Sequence, residues 1–325
     1  DTDVYDINGP HFKNKKIEAQ GSTLLFEGTT NEGKTLYEKV SYRLNGQELN
    51  QSSKDGFFLL SRDLSTGESL SLEIFALVGE SLGELSLPLK LDYETQKKAH
   101  VDAFSALFCS SNVTLQGEEG VNLETSYAIY SLLILGDSSH NRSIPARGVS
   151  GQTYKGAIFW DSEIFLLPFF ALTNPNVARS LLKYRIATLL GAKKKAKEFG
   201  YSGAFYAWES QDSGEEACSL YNVTDYKTGK PIRTYFNEKQ IHISADIPYA
   251  LENYVALTGD RSLLEEGGLE MIVECCLFFL SYAKKGEDGL YHLRDVIGPD
   301  EYHERVDDNA FTNYMVHRAL SFVIR

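Results

Sequence analysis

The chain has 325 residues, 42% hydrophobic and 24% charged, which permits a large packed core and fits roughly two domains. A net charge of -13 and an isoelectric point of about 5.1 argue against nucleic-acid binding, which rests on clustered Lys and Arg. No run reaches the ~18 apolar residues of a membrane span, and the polar opening at Asp1 carries no signal-peptide pattern, so no membrane association is expected.

Residues 1–92 read as β. Short runs at Ser22–Glu27, Thr35–Leu44, Gly56–Arg62 and Ser69–Val78 are rich in Leu, Phe, Tyr and Val, and Gly, Asn, Asp and Ser separate them. Leu70, Leu72, Ile74 and Ala76 alternate with Ser71, Glu73 and Phe75, a period of two. These are expected to be strands of a sandwich, with earlier strands preceding Asp1.

After Asp92 the period changes. Helices are predicted over Tyr93–Phe108, Leu123–Leu135, Ile164–Leu172, Val177–Phe199, Ile247–Thr258, Leu263–Ala283 and Ala310–Val323. The one dense basic run, Lys193–Lys195 with Lys197, falls inside such a pattern and reads as a solvated helix face. The long polar loops between some helices are rich in aromatic and acidic residues and read as functional. Cys109, Cys218, Cys275 and Cys276 show no metal-ligand spacing, and Cys275 and Cys276 lie in the apolar run Ile272–Leu280. A reducing compartment and no bound metal are expected. Sequons at Asn50, Asn112, Asn141 and Asn222 are short patterns that arise by chance.

Three clusters carry chemistry. The first is Phe159-Trp160-Asp161-Ser162-Glu163. The second is Tyr206-Ala207-Trp208-Glu209-Ser210, followed by Asp212, Glu215 and Glu216. The third is Gly298-Pro299-Asp300-Glu301-Tyr302-His303-Glu304. The chain has two tryptophans, and each precedes an acid at an expected loop-to-helix junction. An indole face covers the apolar face of a pyranose, and a carboxylate accepts hydrogen bonds from its hydroxyls. A lone Trp-acid pair is more often a core aromatic beside a helix cap, and Asp161 is placed to cap the helix beginning near Ser162. In the third cluster Gly298 and Pro299 fix a turn. Crowded carboxylates raise one another's pKa, and Tyr302 is positioned to desolvate Glu301, which suits a proton donor for glycosidic cleavage. Taken alone, that cluster reads as a solvated acidic turn.

Other chemistries fail on spacing. The sequence holds no Gly-x-Ser-x-Gly elbow, no phosphate-binding Gly-Lys-Ser/Thr loop and no Gly-x-Gly-x-x-Gly turn. His242 and Asp246 share one expected helix face, but two ligands make a weak metal site. A structural or sugar-side hydrogen-bonding role is expected for them.

In order and spacing, Ala157-Ile158-Phe159-Trp160-Asp161-Ser162-Glu163-Ile164-Phe165, Trp208-Glu209-Ser210, Gly214-Glu215-Glu216, His242-Ile243-Ser244-Ala245-Asp246-Ile247 and Val296-Ile297-Gly298-Pro299-Asp300-Glu301-Tyr302-His303 resemble glycoside hydrolase family 65. The resemblance is dense from about Ile144 to Asn313, and Asp3–Pro10 resembles the family's N-terminal sandwich. It implies an α+β multidomain chain: a partial N-terminal β-sandwich over 1–92, a helical linker over 93–140 and the first part of an (α/α)6 barrel over 141–325. It also implies inverting phosphorolysis of an α-glucosidic disaccharide to β-glucose 1-phosphate and a free sugar. By motif position Glu301 would be the catalytic acid. Trp160, Asp161, Trp208 and Glu209 would hold the transferred glucosyl unit, and Thr234, His242 and His303 would complete the substrate-binding set. Phosphate would be the co-substrate, with no cofactor, in a cytoplasmic homodimer.

Two departures are visible. Phe104 and Phe108 stand where the family's linker carries tryptophans, and about half of twelve barrel helices precede Arg325. The family's phosphate-binding loops, a Lys-Gln pair at the sugar site and a C-terminal β domain are expected after that point. Two other readings stay open: a hydrolase of the same fold, and a fragment of such an enzyme that is inactive.

Overall fold

A computed structural model describes residues 12–20, 23–30, 33–48, 63–86, 92–117, 119–148, 153–221 and 223–324. The expected strand Gly56–Arg62 and the Asp3–Pro10 motif lie outside them. The chain forms two compact units, Asp1–Ser105 and Ala106–Arg325.

The described part of the first unit carries an antiparallel sheet of β1 (Phe12–Gln20), β2 (Thr23–Thr30), β3 (Thr35–Leu44), β4 (Gln47–Glu48) and β5 (Leu72–Gly79). β3 is the hub: it pairs with β2 along Thr35–Ser41, with β4 at Arg43–Leu44 and with β5 along Tyr37–Leu44. The β3–β4 hairpin turns on Asn45 (φ 47°) and Gly46 (φ 77°), the positive-φ pair that a tight two-residue hairpin demands. In β5 the period of two is realised, and its apolar set lies on the open face. Leu72, Ile74 and Val78 are exposed, whereas Glu73, Phe75 and Leu77 are half-buried. Opposite Leu72, Ile74 and Ala76 stand Leu44, Tyr42 and Val40, so register groups the apolar residues on one side of the sheet.

α1 (Tyr93–Ser111) starts at Asp92, whose carboxylate accepts the Thr95 N–H at 2.9 Å, an N-cap. The second unit holds α2 (Glu119–Leu133), α3 (Leu167–Thr173), α4 (Pro175–Ala187), α5 (Leu189–Glu198), the single turn α6 (Phe236–Lys239), α7 (Ile243–Thr258), α8 (Leu269–Tyr282) and α9 (Ala310–Ile324). α7 is the centre: Ile243, Ser244, Ala245, Asp246, Ile247 and Pro248 are all buried, with no polar face over its first turns. α3, α4, α8 and α9 pack around it.

Three predicted helices are divided, the Leu263–Ala283 pattern among them by the non-helical pair Glu266 and Gly267 (φ 108°) ahead of α8. The Val177–Phe199 pattern breaks at Thr188 (φ -92°, ψ 7°), whose hydroxyl bonds back to the Tyr184 carbonyl at 2.9 Å in competition with the helix. The Ile164–Leu172 pattern begins as a π-turn, Ser162–Leu166, before α3. Such wide turns recur where a helix is distorted to present side chains. The acid-bearing loop between α8 and α9 carries two short strands, β8 (Lys284–Lys285) and β9 (Tyr291–His292); the loop before α6 carries β6 (Val223–Thr224) and β7 (Pro231–Ile232).

Candidate active site

The two Trp-acid segments lie side by side. The Ile158 N–H donates to the Ser210 carbonyl at 2.9 Å and the Ser210 N–H to the Ile158 carbonyl at 3.0 Å. The Phe159 ring meets the Trp208 ring edge-on at 4.8 Å. Trp208 is therefore held in an irregular stretch clamped to its neighbour, not at a helix junction as expected.

Glu216 makes that stretch rigid. Its carboxylate accepts the backbone N–H groups of Trp208 (2.8 Å), Glu209 (2.9 Å) and Cys218 (3.1 Å). It also accepts the Lys195 ammonium at 2.7 Å, which lies 3.8 Å from the Phe205 ring centre. One carboxylate thus replaces a missing strand edge. The lysine run is consequently not a uniformly solvated face: Lys195 is 4% exposed, while Lys194 pairs with Glu215 in the open. Burial pulls the Lys195 pKa down, and the Glu216 charge opposes that shift.

Trp208 is itself buried. Its ring stacks on Phe236 at 4.8 Å, and its indole N–H donates to the Gln240 side-chain oxygen at 2.9 Å. The Gln240 amide nitrogen in turn donates to Glu301 Oε1 at 2.8 Å. The Trp208 segment and the Gly298–Glu304 turn are thereby linked through one buried side chain. The Ile297 N–H, donating to the Lys239 carbonyl at 2.9 Å, fixes the same approach through the backbone.

The turn around Glu301 is built by charge pairs and backbone strain. Asp295, Arg305 and Asp308 all adopt left-handed φ angles of 53–58°, uncommon for side-chain-bearing residues and frequent at functional sites. Arg305, and also Lys239 at 2.8 Å, bind Asp295 and hold its carboxyl down to about 2. A Cβ on Gly298 would meet the Asn309 amide at 2.5 Å, so only glycine lets Asn309 cap α9 through the Thr312 N–H at 3.0 Å. Asp300 turns to His303 at 2.6 Å, which lowers the Asp300 pKa. Tyr302 is 98% exposed, so it does not desolvate Glu301 as expected: a four-residue turn in water cannot fold its own ring over a neighbour without a core to hold it. Glu301 itself is exposed.

A second group centres on His242, which is fully buried. Its Nδ1 pairs with Asp246 at 2.7 Å, one turn along α7, and its ring meets Trp160 edge-on at 5.0 Å and Phe311 at 5.3 Å. Its Nε2 has no partner among the described residues. Burial raises the Asp246 pKa against the opposing charge of His242. Asp161 opens the π-turn but makes no side-chain cap, since its backbone is already helical (φ -53°, ψ -38°), and it stays exposed. Beneath it Glu163 and Arg185, neither exposed, pair through two bonds of 2.8 Å, and Arg185 also donates to the Phe159 carbonyl at 3.0 Å. Burial disfavours the Arg185 charge, yet Glu163 holds its pKa above the usual value. Thr234 is buried, with a hydroxyl that lacks a partner among the described residues. Tyr235 beside it lies under the guanidinium groups of Arg233 (4.5 Å) and Arg305 (5.4 Å), tying its loop to the acid-bearing loop.

Of the residues singled out from sequence, Trp208 and Glu301 are thus joined through Gln240, and Trp160 and His242 by ring contact. Glu209 is fixed by its backbone, while His303 turns to Asp300. Gln240, Arg185, Phe236 and Phe311 were missed, Glu216 was named in the second cluster without its clamping role, and Lys195 was read as solvated. The one signal for Gln240 is its place two residues before His242, where the chain passes from loop to α7. Among the described residues no group of three or more His, Cys, Asp and Glu is placed to hold a metal ion, and no helix is long and apolar enough to cross a membrane.

Comparison with known proteins gives this arrangement a context. The profile of the glycosyl hydrolase family 65 central catalytic domain matches residues 126–325. A nigerose phosphorylase of Lachnoclostridium phytofermentans is 42% identical, over 97% of this chain and 47% of its own length. A kojibiose phosphorylase of Halothermothrix orenii is 39% identical, over 86% of this chain and 36% of its own. A solved structure assigned as a kojibiose phosphorylase, from the human microbiome, shares the fold with a TM-score of 0.75 at 20% identity, covering all of this chain and 44% of that one. The chain therefore spans less than half the length of the curated relatives it matches.

Proposed function

As the chain belongs to glycosyl hydrolase family 65, we propose that the full-length protein carries out inverting phosphorolysis of an α-glucosidic disaccharide. In this reading the Glu301 carboxyl gives its proton to the glycosidic oxygen as the C1–O bond breaks. An oxygen of inorganic phosphate bonds C1 from the opposite face. The products are β-glucose 1-phosphate and a free sugar, and Glu301 is left as a carboxylate to regain a proton from solvent. Trp160, Asp161, Trp208 and Glu209 hold the glucosyl unit, with Thr234, His242 and His303 on the substrate as well. No residue of this chain is assigned to phosphate. We read 141–325 as the opening part of an (α/α)6 barrel, preceded by a sandwich portion over 1–92 and a linker over 93–140.

The observation that carries the reading is the tether of Glu301. One carboxyl oxygen is held by a buried amide while the side chain remains exposed, so the group is both fixed and reachable by a glycosidic oxygen. The test is Glu301→Gln in the full-length protein. Loss of a general acid lowers cleavage by about 10²–10⁴-fold and leaves sugar binding largely intact. Retained cleavage would remove Glu301 from the role. Product analysis with and without phosphate checks the second half: glucose released equally in both conditions marks a hydrolase.

A further inference from the structure

Glu301 has a neighbour that sequence patterns did not single out. We propose that Gln240 is the positioning residue of the acid, and that the Trp208 indole N–H dictates which end of the Gln240 amide faces Glu301. The inference rests on the reading of Glu301 as the proton donor.

The two ends of a side-chain amide have nearly the same shape and opposite hydrogen-bonding character, so something must choose between them. An indole N–H only donates. At 2.9 Å from Gln240 it accepts only the amide oxygen as a partner, and this turns the NH2 group toward Glu301. Nothing in the assembly is loose. Gln240 is 1% exposed, and its backbone N–H is bound to the Phe236 carbonyl at 3.1 Å. Trp208 is packed between the rings of Phe159 and Phe236, and its backbone is held by Glu216, which Lys195 anchors. A continuous line of hydrogen bonds thus runs from Lys195 through Glu216, Trp208 and Gln240 to Glu301.

The consequence is chemical. A carboxylic acid accepts best at its carbonyl oxygen, so the amide bond at Oε1 makes Oε1 the carbonyl and leaves the proton on Oε2. A misdirected amide would present its oxygen to the acid and hold that proton for itself. The charged groups nearby are otherwise engaged. Asp300 is paired with His303, Asp295 takes both Lys239 and Arg305, and Glu304 lies exposed on the turn. Among the described residues Gln240 is the side chain that donates to Glu301.

The test uses the full-length protein with inorganic phosphate, on whichever of nigerose and kojibiose it cleaves. Gln240→Leu removes the donor at similar volume. Trp208→Phe keeps an aromatic ring on Phe236 and deletes the N–H that orients the amide, along with part of the indole's volume. Both are expected to lower kcat on the order of 10–100-fold; in Gln240→Leu KM should change far less, because a misplaced acid costs rate rather than binding. Native kcat in a folded Gln240→Leu or in Trp208→Phe, or a Gln240→Leu whose loss lies in KM rather than in kcat, overturns the inference. If Gln240→Leu does not fold, Gln240→Asn, whose amide falls short of Glu301, takes its place under the same criteria. Glu301→Gln, run alongside, separates the two levels. An active Glu301→Gln fails the functional reading itself. An inactive one with native kcat in Gln240→Leu fails only the positioning role.

Discussion

Replacing Glu163 by Gln tests whether the buried ion pair supports the Trp160 segment. Glu163 takes both bonds from Arg185 at 2.8 Å, and both side chains are fully buried. The swap keeps shape and one acceptor oxygen but leaves a guanidinium charge buried without its counter-charge. Removing one partner of such a pair costs about 3–5 kcal/mol. The retained acceptor, and the Phe159 carbonyl still on the guanidinium, put the expectation near the lower end, about 3 kcal/mol. Arg185 Nη1 already lacks a partner among the described residues, so any donor the swap frees adds to an unmet one. For a unit of this size, Ala106–Arg325, each kcal/mol moves the midpoint by about 2–4 °C, so a thermal shift of about 6–12 °C is expected in the full-length protein. The double change Glu163→Leu with Arg185→Met removes both charges and leaves chiefly the Phe159 carbonyl unmet. It should be less harmful than the single change, at about 1–3 kcal/mol. A single variant within 1 °C of the native midpoint, or a double variant worse than the single, would refute the argument that an uncompensated charge is the cost.

Two further outcomes separate buried from exposed electrostatics. Lys195→Met should cost about 3 kcal/mol, whereas Lys194→Met, one residue away but exposed, should leave stability almost unchanged; equal effects in urea titrations would contradict the clamp. His292 is bound by Asp308 at 2.6 Å and by Asp288, and these bonds raise its pKa. A raised histidine pKa adds stability that is complete below the unfolded value of about 6.5 and fades as pH climbs through the folded value. The midpoint difference between native protein and His292→Asn should accordingly shrink from pH 6 to pH 8, and a constant difference would rule the pair out as a source of pH dependence.

What could be read from the sequence follows from which signals are local. Strands β2, β3 and β5 and helices α7, α8 and α9 announced themselves through period and turn chemistry, because burial of one face repeats along the chain. The divisions at Thr188 and at the π-turn Ser162–Leu166 did not, because each is forced by side-chain bonds and neighbours that periodicity does not encode. The same distinction runs through the site. Trp160, Trp208 and Glu301 stood out as rare or crowded residue types. Gln240 is of an ordinary type, and only the donor-only indole on one side and the carboxyl on the other give it a role. Lys195 was misread for a related reason. On a helix, Lys193, Lys194 and Lys195 point in three directions roughly 100° apart, so a run of three need not share one environment. Here they meet Glu274, Glu215 and Glu216 respectively. Lys195 is the one that turns inward, and the acid that meets it, Glu216, sits in the segment that fixes Trp208.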